Sequence, residues 1–192
     1  MLKRATGNAM LMMFAKRNIC IVVGDLLFVN PIQRLGEEGM ESGFRLEIRH
    51  AGCYDKEDSS AYAGSIIEIK EPLWRADVLC SEKGRLLGVF DRAHYHASFD
   101  RGVPGERIYS DELMATPIEF LAKVLGDVQH AAPMGAMFEA DLDDDDAEAI
   151  AELSKVALKE INSFIDAVRL RKPWEDEVAE SNGRAGVRMS WL

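Results

Sequence analysis

The residues best suited to chemistry lie in one short run, Asp91-Arg92-Ala93-His94-Tyr95-His96-Ala97-Ser98-Phe99-Asp100. If the run is extended, His94 and His96 leave the same face about 7 Å apart. Two imidazoles so placed can share a divalent metal such as zinc, with a carboxylate as third ligand. Asp91 and Asp100 flank the pair, and the expected metal set is His94, His96 and Asp100. The same rings could instead serve as acid and base in phosphodiester cleavage, because imidazole titrates near neutral pH. The catalytic set is then His94, His96, Asp91 and Arg92, with Arg92 and Arg101 holding the phosphate. A structural account competes with both. Ala93, Tyr95, Ala97 and Phe99 already supply an apolar face, which leaves the histidines the solvated side of a strand.

A second constellation is acidic. Residues 139–152 hold eight carboxylates and no basic side chain, and Asp143, Asp144, Asp145 and Asp146 are consecutive. Such a block can dock a protein partner with a basic surface. It can equally stabilise a helix start, where carboxylates meet the positive end of the dipole. The glycine at position six and glutamate at position twelve of a calcium loop are absent. Arg101-Gly102-Val103-Pro104-Gly105-Glu106-Arg107 lacks the lysine and the strand–loop–helix setting of a nucleotide loop, and reads as a hairpin connection. His50 and His130 are isolated and read as structural. No G-x-S-x-G or H-E-x-x-H motif occurs.

The elements that must position these residues follow from periodicity. Phe44, Leu46 and Ile48 alternate with Arg45, Glu47 and Arg49, as do Trp74, Ala76, Val78 and Cys80 with Arg75, Asp77 and Leu79. Ser81 to Gly84 reads as a turn, with Leu86 to Phe90 returning as hairpin partner and residues 93–99 as a third strand. Ile66 to Ile69 is a short strand stopped by Pro72. Thr116-Pro117-Ile118-Glu119 reads as a capping box opening a helix over about 117–128. A second helix runs over about 144–171, with Ile150, Leu153, Ala157, Ile161, Phe164, Ile165 and Val168 as its stripe. The expected class is α+β, an antiparallel β-meander over about 44–110 packed against two C-terminal helices.

Residues 1–39 read as an N-terminal extension, either a short hairpin or a segment peripheral to the fold. The hairpin would join Ile19–Val23 to Leu26–Val29 through Gly24-Asp25. Gly36 to Gly39 would be encoded by a purine-rich stretch before a methionine codon, which offers Met40 as an alternative start. Residues 40–172 form a single domain and 173–192 a flexible tail. Trp174 and Trp191 lie in that tail, where either could cover the helix end or anchor a partner.

At 192 residues, with 47% hydrophobic and 29% charged side chains, the chain has globular composition. The formal charge of -10 disfavours a bulk grip on nucleic acid, leaving only a local patch. No apolar run reaches the roughly 20 residues of a membrane span. Three scattered cysteines without C-x-x-C fit reduced thiols in the cytoplasm. An exposed sheet edge would allow a homodimer.

Leu73-Trp74-Arg75-Ala76-Asp77, Lys83-Gly84-Arg85-Leu86-Leu87 and Phe90-Asp91-Arg92-Ala93-His94-Tyr95-His96 resemble, in that order, the W-R-x-D-like strand, G-R-L-L-like turn and histidine segment of TumE-type bacterial toxins. They also resemble uncharacterised bacterial domains of the same layout. Arg92 stands where those toxins usually carry asparagine. The resemblance covers about 25 residues and implies a toxin–antitoxin or defence setting with RNA cleavage. Two functional expectations result. The first is a binding or regulatory protein without a cofactor, docking a partner through Asp143 to Asp146. The second is a metal- or histidine-dependent ribonuclease-like hydrolase using His94 and His96.

Overall fold

The alternating segments build one six-stranded antiparallel sheet. In the computed structural model, which describes residues 11–29, 40–55, 65–131, 133 and 142–170, the order is β1 (Leu11–Lys16), β2 (Ile19–Val29), β3 (Met40–Asp55), β4 (Ser65–Ser81), β5 (His94–His96) and β8 (Ile108–Tyr109). A separate hairpin, β6 (Phe99–Asp100) with β7 (Val103–Pro104), turns through Arg101 and Gly102, both at positive φ. That is the two-residue turn whose twist suits a hairpin, so residues 101–107 form the structural connection read from their composition.

Helices α1 (Glu82–Leu87), α2 (Asp111–Ala115), α3 (Pro117–Gly126) and α4 (Asp144–Leu170) complete the described fold. The antiparallel meander packed against C-terminal helices is thus the architecture adopted. One row of the sheet shows how the core is made. Met12, Val23, Leu46, Ala76, Tyr95 and Ile108 are direct cross-strand partners across all six strands. Phe44, Ile48, Trp74 and Val78 extend this face, and Phe120, Leu121, Ile150, Ala157 and Ile161 from α3 and α4 close over it. No helix among the described residues is long and apolar enough to cross a membrane.

Several boundaries differ from the sequence expectation, each for a local reason. Gly24 and Asp25 do not turn; β2 runs straight through them, and Arg17, at positive φ, and Asn18 make the turn. Ile19, Ile21 and Val23 are completely buried in the core. Pro72 does not stop β4. The β3–β4 register shifts between Ile48 and Ala51, opposite Pro72, where the strand lacks a donor anyway. Residues 82–87 are helical, not a turn and returning strand. Ser81 Oγ accepts from Gly84 N–H as N-cap, and Gly88 closes the helix in the left-handed region. β4 therefore pairs with β5 and not with residues 86–90. The expected capping box fails too: Thr116 makes no side-chain cap bond to α3, and its hydroxyl instead reaches the Glu112 carbonyl.

Gly43 is demanded by the close approach of β3 and β4. A Cβ there would lie 2.0 Å from the Val78 carbonyl oxygen. The expected tail, Trp174 and Trp191, and residues 139–141 lie outside the described residues, as do the side chains of Phe164 and Val168.

Candidate metal centre

The face of the sheet opposite the helices carries the chemistry. Antiparallel pairing places Glu47, Arg75 and His96 side by side in one row across β3, β4 and β5, and Arg45, Asp77 and His94 in the next. Charged residues on a sheet face ordinarily meet water. Here they do not: Arg45, Glu47, Asp77, His94 and His96 are all at most 6% exposed. The wetted-face account of the histidines is therefore corrected, since both are more buried than Tyr95 between them. Part of the cover comes from the segment after β5. Phe99 lies against His96 and beneath the Arg75 guanidinium, and Tyr109 of β8 packs beside His94.

Hydrogen bonds fix both imidazole tautomers. His94 Nδ1 lies 3.0 Å from the Arg92 carbonyl and His96 Nδ1 lies 2.8 Å from the Gly105 carbonyl. A carbonyl only accepts, so both Nδ1 atoms carry the proton and both Nε2 atoms offer a lone pair when the rings are neutral. Each Nε2 turns toward Asp77 Oδ2, at 3.5 Å from His94 and 3.9 Å from His96. Asp77, His94 and His96 thus present three potential ligand atoms within 4.8 Å of one another, the one such group among the described residues. Donors on a tetrahedral zinc ion stand about 3.4 Å apart. A backbone carbonyl holding Nδ1–H while Nε2 binds is the usual outer support of a metal-ligating histidine.

The carboxylate is held from the other side. Arg45 donates to Asp77 through Nε at 2.5 Å and Nη2 at 3.1 Å, the bidentate pairing that orients a carboxylate. Arg75 Nη2 lies 3.0 Å from His96 Nε2, and Arg75 Nε lies 3.3 Å from Asp77 Oδ2 without making a hydrogen bond to any partner. An unsatisfied buried donor costs about 1–3 kcal/mol. Burial lowers the Arg75 pKa from its ordinary value, opposed by the charges of Asp77 and Glu47 and reinforced by those of Arg45 and Arg107. Burial also pushes His96 down, opposed by its bond to the Gly105 carbonyl and assisted by the Arg75 charge and His94.

The other expected site residues lie apart from this cluster. Asp91 accepts from Ser81 N–H and Ser81 Oγ and braces the start of α1. Arg92 directs its guanidinium toward Glu41, 3.8 Å away, so its carbonyl and not its side chain serves the site. Asp100 is exposed on the β6–β7 hairpin and is not part of the ligand cluster. Periodicity alone does not bring Asp77 to the histidines, because it pairs β4 with residues 86–90 and not with β5. The signal of Asp77 is nevertheless present: Arg75-x-Asp77 has the same spacing as His94-x-His96.

The acidic block has local tasks. Asp143 Oδ1 accepts the Asp146 N–H at 2.8 Å and caps α4. Asp144 accepts from Gln129, Asp145 pairs with Arg17, and Asp146 is buried. Comparison with protein-family models, curated proteins and solved structures finds no match for this chain.

Proposed function

We propose that this protein is a divalent-metal-dependent hydrolase of phosphodiesters, using Asp77, His94 and His96 as ligands. The observation that carries this reading is the convergence of two tautomer-locked Nε2 lone pairs and one carboxylate oxygen. Two imidazoles and a carboxylate suit zinc or a similar transition ion. When bound, such an ion lowers the pKa of a coordinated water toward neutrality, which supplies a nucleophile. RNA as the substrate is supported by the resemblance of residues 73–96 to TumE-type toxins. A reducing, cytoplasmic setting is supported by Cys20 and Cys80, both free and buried.

Docking of a basic partner on Asp143 to Asp146 has weaker support, because the four residues cap, pair with or pack onto this chain. The test is zinc content after loading and dialysis, measured on the full chain together with cleavage of a mixed RNA substrate. Wild type should retain one ion per chain and cut RNA. His94→Ala with His96→Ala should lose both. Wild type retaining no more zinc than the double variant, and leaving RNA intact, would overturn the proposal.

A further inference from the structure

The Arg75 guanidinium lies against two of the three candidate ligand atoms. Its Nη2 covers the His96 lone pair, and its Nε faces the Asp77 oxygen that points to both histidines. A guanidinium has donors and no acceptor, so it occupies those two ligand atoms in the manner of a cation. The fit is incomplete, because Nε is buried and unpaired. Arg75 is also more exposed than Arg45, Asp77 and the two histidines: its side chain is 12% exposed, against 7% or less for those four. It already lies over the Phe99 ring, 5.7 Å from its centroid, which gives the side chain a surface to rest on.

Charge determines what must accompany a metal. The two polar rows hold two guanidiniums, Arg45 and Arg75, and two carboxylates, Glu47 and Asp77. With neutral imidazoles these six side chains sum to zero charge, and a divalent ion would raise them to plus two. Arg107 adds further positive potential at Arg75. Excess positive charge under this degree of burial is costly unless an anion joins it.

We infer that Arg75 is a built-in occupant of the metal position, displaced when the ion binds, and that the displaced guanidinium and the ion together bind the anionic phosphate group of a phosphoester. This inference rests on the metal reading above and adds the residue that guards the ion's position and then binds the phosphate group beside it. Metal and phosphoester must then strengthen each other's binding by the same factor. Arg75 opposes the metal when no anion is present and favours the metal–anion pair when one is.

The experiment is a cobalt(II) titration of the full chain, read by the visible absorption of the bound ion, with and without phenyl phosphate. In wild type, phenyl phosphate should tighten cobalt binding by about tenfold. Arg75→Gln should bind cobalt about tenfold tighter than wild type without the phosphoester and gain little from its addition. Arg75→Lys keeps the charge without the planar fork and should lie between the two; it serves as the second variant if Arg75→Gln does not fold. Equal cobalt affinity in wild type and the variants, with no effect of phenyl phosphate, would overturn the role of Arg75 while leaving the metal site standing. Failure of wild type and every folded variant to bind cobalt would overturn the metal reading and this inference together.

Discussion

Arg75 and His96 face each other across β4 and β5, with Nη2 of the guanidinium 3.0 Å from Nε2 of the imidazole. Because arginine can only donate, His96 must accept there, and its proton must sit on Nδ1 against the Gly105 carbonyl. A protonated His96 would bring two positive groups together in a buried layer. The pair therefore ties the tautomer, the charge state and the pH response of the site to one contact.

The pH response has a definite sign. The folded-state pKa of His96 lies below its ordinary value of 6.5. Below that ordinary value the unfolded chain takes up a proton that the folded chain does not. Stability from this group is thus intact above about pH 6.5 and is lost as pH falls from there toward the folded pKa. Urea midpoints measured between about pH 8 and pH 5 should decline on the acid side. His96→Asn retains a donor for Gly105 and should flatten that decline.

Asp77 meets Arg45, Arg75 and both histidines, and it is 2% exposed. Asp77→Asn should leave buried guanidinium charge uncompensated and cost about 3–5 kcal/mol in urea unfolding. Adding Arg45→Met should recover much of that loss, since the variant then removes both halves of the bidentate pair. An equal or larger loss in the double variant would show that the pair is not the origin of the effect.

Much of this arrangement is legible in the sequence, and the reason is periodicity. Phe44-Leu46-Ile48 and Trp74-Ala76-Val78 mark one buried face by alternation alone, and Ile150, Ala157 and Ile161 mark the helix that meets it. The His94–His96 pair follows from the same period of two. Asp77 did not follow, because ligand convergence depends on which strands become neighbours. Ser81 capping a short helix displaced residues 86–90 from the pairing assumed for them. Nor does alternation reveal that a polar face will be covered, since Arg45 and Glu47 carry the residue types of a wetted surface.

The β3–β4 contact offers a direct test of the scaffold. In Gly43→Ala the new methyl would meet backbone atoms of Val78 that have no rotamer by which to retreat. The expected loss is roughly 3 kcal/mol or failure to fold, from overpacking. Gly126→Ala, with nothing within 4 Å of the added carbon, should change the thermal midpoint little.

The start of α4 separates capping from simple charge. Asp143→Ala should cost about 1 kcal/mol, because the Asp146 N–H loses its acceptor, and Asp143→Asn should cost much less. Asp145→Asn touches only an exposed pair with Arg17 and should change stability by less than about 0.5 kcal/mol. Equal losses from Asp143→Asn and Asp143→Ala would point to charge and not to the cap. The readout is the urea midpoint of each variant at one pH.

Covering both faces of the central strands gives the chain a means of rejecting its own errors. A slip of one residue between β4 and β5 would set Tyr95 among the guanidiniums and carry the imidazoles to Trp74 and Phe120. On a sheet with one wet side such a slip forfeits only grease; here it also strands ions, so mispaired chains are discriminated against twice.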